Sequence, residues 1–298
     1  MTDETTAGTD PARPWRGVTI AGRRWRIAGD PQDSYFQWAS AHAKGMAEIQ
    51  AVAAAILPED GSGIALDIGA NIGLTALVLA SLAPRGRVVA AEPSPRTAQA
   101  LRETLALNRL AGRVAVEECA VADRPGEAEF HFDSAHSAGS KLVNEATMDR
   151  ARLASAPVRV PVTTVDALVE AHALPRVDLV KVDVEGFEGD VLDGARATIA
   201  RHRPAFILEF NAWTLLCNRN ANPRAVLEDW LARFPFVHAF RGMQAPERVR
   251  PEDALAFLHD HLVKRKCADD LVLSFDEAWV ARWRPPARGP RRPAIAPA

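Results

Sequence analysis

Cysteine is scarce in this chain: Cys119, Cys217 and Cys267 are the three in 298 residues. An odd number with no C-x-x-C pair argues against a disulfide framework and against a cysteine zinc site. Charge of one sign is also lacking. The formal net charge is −2, so the whole chain makes no electrostatic case for nucleic acid. No apolar run is long enough to span a bilayer; Ile72 to Ala83 is far too short. The acidic, polar start Met1 to Thr6 does not read as a signal peptide. H-E-x-x-H is absent, as are G-x-G-x-x-G and G-x-x-x-x-G-K-[S/T], which removes the usual zinc, dinucleotide and phosphate-loop signatures. The composition, 48% hydrophobic and 25% charged, is that of an ordinary globular protein of one large domain or two small ones. A soluble, cytoplasmic protein is expected.

What is present centres on Ile64 to Gly73. An apolar run ends in Asp67, a loop carrying Gly69, Ala70, Asn71 and Gly73 follows, and an apolar helix opens at Leu74. This is the first strand, turn and helix of a nucleotide-binding α/β sheet. A Cβ at Gly69 or Gly73 would block the turn or the close approach of backbone to a ligand. An acid opening the loop suits a nucleoside ligand without a pyrophosphate, such as S-adenosylmethionine. The second strand, from Arg87, ends in Glu92-Pro93, 25 positions after Asp67. There an acid can accept hydrogen bonds from both ribose hydroxyls; the plainer reading is an acid favoured at a helix start. Ser94 and Pro95 are N-cap and first-position residues for a helix to about Leu110.

Taken in order, residues 1–14 lack apolar pattern and read as disordered. Residues 15–60 form an extension: a hairpin over Gly17 to Gly29 turning at Ala21 to Arg23, an aromatic patch from Tyr35 to Trp38, and a helix over Ala39 to Leu57. This part either flanks the ligand cleft or only extends the core. Residues 61–280 alternate strand and helix, which predicts a mostly parallel sheet with helices on both faces. Expected strands include Val114 to Cys119, Val158 to Val162, Val177 to Val184, Ala205 to Asn211, Phe236 to Phe240 and Leu271 to Phe275. Expected helices include Glu188 to Ala200 and Pro251 to Leu262. Asp133 to Ala156 resists assignment, apart from a turn at Ser137 to Ser140. Residues 281–298 are rich in arginine and proline and read as a disordered tail. Such a tail can touch acidic partners, but most are only solvated.

The second constellation is Asp178 to Glu188, where four acids and Lys181 cluster at a strand end. Lys181 is costly to bury unpaired. Asp183 and Glu185 share a side of the chain if extended geometry continues. Glu188 reads as a helix-start acid. Glu209 is the one charge in the run Ala205 to Phe210, and Asn211 closes that strand. Together these groups can bind substrate hydroxyls, or, as a minority reading, a divalent cation. The scattered histidines carry no metal pattern.

These stretches resemble the FkbM family of S-adenosylmethionine-dependent methyltransferases: Asp67 to Gly73, Glu92-Pro93, Thr164 to Asp166, Lys181 to Glu188, and Leu192 to Ala195. The likeness covers Ile64 to Asn211. It implies the seven-stranded class I methyltransferase fold with its last strand antiparallel. It also implies O-methylation of sugar or polyketide hydroxyls. In that reading Asp67, Gly69, Ala70, Asn71, Gly73, Glu92, Pro93, Cys119 and Ala120 bind the cofactor. Cys119 departs from the polar amide common in that region. Asp183 or Glu185 is the candidate base, Glu209 and Asn211 orient the acceptor, and no resident metal is assigned. The acceptor is read as a sugar or glycan, with a polyketide or other small product as the alternative. A non-catalytic nucleoside-binding module is the reading from another class. No nucleic-acid partner and no membrane span are expected.

Overall fold

The computed structural model describes residues 14–147, 155–242 and 244–286, and the backbone of Ala7–Thr9. Most of the expected N-terminal disorder and of the arginine-rich tail lies outside the described residues. Strands β1 (Ala7–Thr9), β2 (Pro14–Ile20) and β3 (Arg23–Ala28) form a small antiparallel sheet. Its hairpin turns at Ala21 and Gly22, both at positive φ (43° and 83°), as a tight turn matched to strand twist requires. Helix α1 (Ser34–Gln37) is capped by Asp33, and α2 (Ala39–Ile56) follows.

The main unit opens with β4 (Ile64–Ile68), α3 (Leu74–Leu82), β5 (Arg87–Ala91), α4 (Pro95–Leu107) and β6 (Val114–Glu117). Ser94 caps α4 with Pro95 at its first turn, as read from the sequence. The helix ends near Leu107 rather than Leu110, because Arg109 takes a left-handed conformation. Next come β7 (Ala120–Val121), β8 (Gly126–His131), a 3₁₀ turn at Ser137–Gly139, β9 (Lys141–Leu142) and β10 (Val158–Thr163). These four strands pair as a separate sheet in the order β7-β10-β8-β9; β9 and the 3₁₀ turn lie in the stretch that the sequence left unassigned.

The chain then returns through α5 (Val165–Ala171), β11 (Leu179–Val182), α6 (Glu188–Asp193), α7 (Arg196–His202) and β12 (Ala205–Asn211). The single helix expected over Glu188 to Ala200 is two. At the break a Cβ on Gly194 would lie 2.0 Å from the Ala122 carbonyl oxygen. Asp166 then restarts the helix, accepting from Ala197 N and Thr198 N. A short α8 (Ala212–Thr214) runs into a π-helical turn, Leu215–Arg219. The rest is α9 (Pro223–Arg233), β13 (Phe236–Phe240), β14 (Glu247–Val249), α10 (Ala254–Val263), β15 (Ala268–Ser274) and α11 (Ala278–Arg282). Ala281 and Arg282, read as tail, are helical.

The large sheet has the order β14-β13-β15-β12-β11-β4-β5-β6. Its seven expected strands are present, and β15 runs antiparallel to both β12 and β13. Strand β14 adds an eighth at the edge. Alternate residues of each strand feed two cores. Leu66, Val89, Val180 and Leu208 face one side with α6, α9 and α10. Ala65, Val88, Leu179 and Ile207 face the other with α2, α3 and α4. On the first side Phe210 meets Trp230 edge-on at 5.7 Å. Burying such a ring contributes roughly 2–3 kcal/mol. The alternation has a consequence at the strands' carboxyl ends. Asp67, Lys181, Glu209 and Asp270 all fall on the α2/α3 face, and register sets Lys181 beside Asp67 and Glu209 beside Asp270.

Candidate active site

A cleft of about 490 Å³ opens at this edge, between the strand ends and α1/α2. One half is built by the loop after β4 and the end of β5. Gly69 has φ +83°, and a Cβ there would sit 1.9 Å from the Asp183 carbonyl oxygen. Glycine is therefore required by the neighbouring loop's backbone. The amides of Gly69 and Ala70 both donate to the Ala91 carbonyl at 3.0 Å. Asn71 N donates to Glu92 Oε2 and Ser94 N to Glu92 Oε1, each at 3.0 Å. Burial pushes the Glu92 carboxyl up to about 7, against the pull of those two amides. Beyond Glu92-Pro93 the wall is Cys119, Ala120, Val121 and Phe130. Burial, then Glu117, pushes the Cys119 thiol up to about 12, so this end is uncharged.

The other half is acidic. Asp183, Glu185 and Glu209 face the cleft together with Glu48, Lys181 and Asp270. Lys181 Nζ lies 3.2 Å from the Val182 carbonyl, 3.4 Å from Asp183 and 3.8 Å from Asp270. Burial lowers its pKa, but Asp183, Asp270, Glu209 and Asp67 outweigh burial and hold it above the ordinary lysine value. Burial, then Asp183 and Glu188, raises Glu185 to about 8. Burial and the surrounding carboxylates put Glu209 well above the usual range. Strand β11 stops at Val182 and Glu185 has φ +57°, so extended geometry does not continue through the block. Asp183 and Glu185 reach the cleft through a turn. Glu188 braces that turn, accepting from Val184 N and Gly186 N.

Three expected site residues are not brought to the cleft wall. Asn211 spends its Oδ1 on Trp213 N and Thr214 N as the cap of α8. Gly73 starts α3 at φ +99°, and a Cβ would press on Leu101 Cδ1 at 2.6 Å; its glycine serves packing. Asp67 lies beneath the floor, with Oδ2 unpartnered among the described residues. Burial raises it to about 7, opposed by Lys181. Conversely, sequence reasoning missed Tyr35, His42, Glu48 and Asp270, and the wall formed by Ser137, Ala138 and Lys141. The aromatic patch at Tyr35 was the one signal for the first; nothing local marks Glu48. Among the described residues, no group of three or more His, Cys, Asp or Glu is placed to hold a metal ion. No helix among them is long and apolar enough to cross a membrane.

The model of the methyltransferase FkbM domain matches residues 67–231, more than half of the chain. The chain belongs to the FkbM methyltransferase family. Among its relatives, the 2-O-methyltransferase NoeI of Sinorhizobium fredii is 28% identical over 197 residues, covering 63% of this chain and 79% of that protein. The methyltransferase sdnD of Sordaria araneosa is 31% identical over 152 residues, covering 43% of this chain and 59% of that protein. A crystal structure of methyltransferase FkbM from Methylobacillus flagellatus is similar at 18% identity and a TM-score of 0.43, over 72% of this chain and 44% of that one. The FkbM-family cofactor is S-adenosylmethionine, and the residues present fit it. Glu92 offers acceptors at the sheet's second strand end, the uncharged Cys119–Phe130 wall suits a base, and Asp183 offers a carboxylate to an ammonium. Nothing in the Gly69–Gly73 loop spacing asks for a pyrophosphate.

Proposed function

We propose that this FkbM-family enzyme is an O-methyltransferase whose acceptor is a sugar or glycan hydroxyl. The observation that carries this reading is the convergence of Asp183, Glu185 and Glu209 in the cleft half next to the cofactor loop. S-adenosylmethionine supplies an electrophilic methyl group on a sulfonium. The chain's own residues position the acceptor and manage its proton. A neutral alcohol is a weak nucleophile and gains from a base in hydrogen-bond reach. Asp183, paired with Lys181 and roughly half exposed, is the base. Glu185 and Glu209, pushed toward their protonated forms, donate hydrogen bonds to the acceptor's other oxygens. A polyhydroxylated ring meets such a row of donors and acceptors better than an apolar chain does. The relative NoeI, a 2-O-methyltransferase, is consistent with transfer to oxygen.

Labelled-methyl transfer from S-adenosylmethionine to matched panels of glycans, free sugars and polyketide-type alcohols tests this. Transfer to sugar hydroxyls is expected; transfer confined to the other alcohols refutes the acceptor class. Asp183→Asn should lower the rate at least about 100-fold, the scale of general-base loss, well beyond any loss of cofactor affinity from its contact with the ammonium. A rate that instead rises with pH through about 8 and is abolished in Glu185→Gln assigns the base to Glu185.

A further inference from the structure

Tyr35 lies outside the matched methyltransferase domain, residues 67–231, yet lines the cleft. It stands on α1, and α1 is clipped to the Ala135–Ser137 segment a hundred residues away. Asp33 Oδ1 accepts from Tyr35 N at 2.9 Å and from Ser137 N at 3.0 Å. Ser34 N donates to the Ala135 carbonyl at 2.8 Å, and Ser34 Oγ meets His136 Nδ1 at 2.9 Å. Ser137 Oγ in turn donates to Asn71 Oδ1 at 3.1 Å, so the strap rests directly on the cofactor loop. The Tyr35 ring is fixed on both sides. It stacks on His42 with centroids 4.1 Å apart and sets its edge toward His136 at 6.2 Å.

The ring is thus held rigidly, while its hydroxyl makes no hydrogen bond within the described residues. Burial, then the charges of Asp183, Asp67 and Asp33, holds the phenol above its ordinary pKa, so it stays a donor. The strap's bond to Asn71 sets this ring beside the Gly69–Asn71 part of the cleft. In a zwitterionic ligand these acids attract the ammonium, and the carboxylate needs a donor of its own. Asn71 Oδ1 is engaged by Ile72 N and Ser137 Oγ, so any bond this side chain offers a ligand as donor comes from its Nδ2. Resting on the S-adenosylmethionine reading, we infer that the Tyr35 hydroxyl donates a hydrogen bond to the carboxylate of the cofactor's amino-acid moiety, a binding contact supplied from outside the family domain.

Calorimetry on the full chain separates this contact from a structural role. The probes are S-adenosylhomocysteine, which carries the amino-acid carboxylate, and 5′-methylthioadenosine, which lacks it. Tyr35→Phe keeps the ring stack and should weaken S-adenosylhomocysteine about tenfold or more, the scale of a hydrogen bond to a charged group. Affinity for 5′-methylthioadenosine should stay within about twofold, since no charged partner is lost. Equal weakening of both probes, or of neither, overturns the inference. Tyr35→Ala, which also removes the stack on His42, should weaken both. A wild-type chain that binds neither probe would refute the cofactor reading itself, a different outcome from either result with the variants.

Discussion

The two halves of the cleft are built on opposite principles. Around Gly69, Asn71 and Glu92 the polar groups are satisfied by backbone: both Glu92 oxygens hold an amide, and the loop hangs from the Ala91 carbonyl. Around Asp183, Glu185 and Glu209 one buried ammonium stands among several carboxyls, and most of those carboxyls take no backbone amide. The first half is preorganised by short-range chain geometry. The second is an electrostatic cluster whose protonation is set by burial and completed by what enters it. On the proposed reading, the first half holds the cofactor and the second meets the acceptor.

Substitution of Gly69 breaks the preorganised half most severely. In Gly69→Ala the added carbon overlaps the Asp183 carbonyl, backbone against backbone, at a φ that L-residues avoid. A loss of at least about 4 kcal/mol is expected, at the extreme of single substitutions, measured by urea unfolding. Gly73→Ala should cost less, because the atom it meets is the end of the Leu101 side chain. If Gly69→Ala unfolds like the wild type, the loop is held less tightly than its geometry states.

The same contrast explains what the sequence disclosed. The β4 loop, Glu92 and the Ser94 cap were legible because each is a local pattern with a local cause. Thr164 also capped its helix as read. The Lys181–Glu188 block was legible as a charge cluster in an apolar run, but its turn at Glu185 was not, since nothing local announces a left-handed glutamate. Asn211 was misplaced for a similar reason: a strand-end amide serves a following cap as readily as a cleft, and α8 follows at once. Glu48 and Asp270 could not be found from any window. Glu48 belongs to a helix outside the domain, where its carboxylate takes Gly242 N at 2.5 Å, and Asp270 meets the site only through the antiparallel register of β15 on β12. Tertiary register, not motif, brings them in.

Lys181→Met perturbs the electrostatic half. Methionine fills the volume but leaves Asp183 and Asp270 facing one another without the ammonium. Removing one partner of a buried pair costs about 3–5 kcal/mol. Asp183 is partly solvated here, so about 2–3 kcal/mol is expected after discounting for screening. Cofactor-half contacts should survive, so S-adenosylhomocysteine should still bind, within about tenfold by calorimetry, while methyl transfer falls much further. Equal losses in binding and transfer would mean that the two halves are not separable.

A pH dependence is common to both halves. Glu185 is raised to about 8, and Glu92, Glu188 and Asp67 to about 7, each by burial first. Every one of these folded values lies above its unfolded value, so the native chain binds more protons than the unfolded chain between them. The stability these groups contribute is fully present below their unfolded values and is lost as pH rises through about 7 to 8. Each proton of difference costs about 1.4 kcal/mol per pH unit, about 3 °C in melting temperature for a domain of this size. The ligand-free protein should therefore melt progressively lower from pH 5 to pH 8 in a fluorimetric scan. Glu92→Gln and Glu185→Gln should each flatten that slope, and the part removed with Glu185 should extend to higher pH, as its value of about 8 against about 7 requires. A slope untouched by both changes would show that neither carboxyl is held protonated by its surroundings, and the contrast between a backbone-satisfied half and an electrostatic half would fail at its common root.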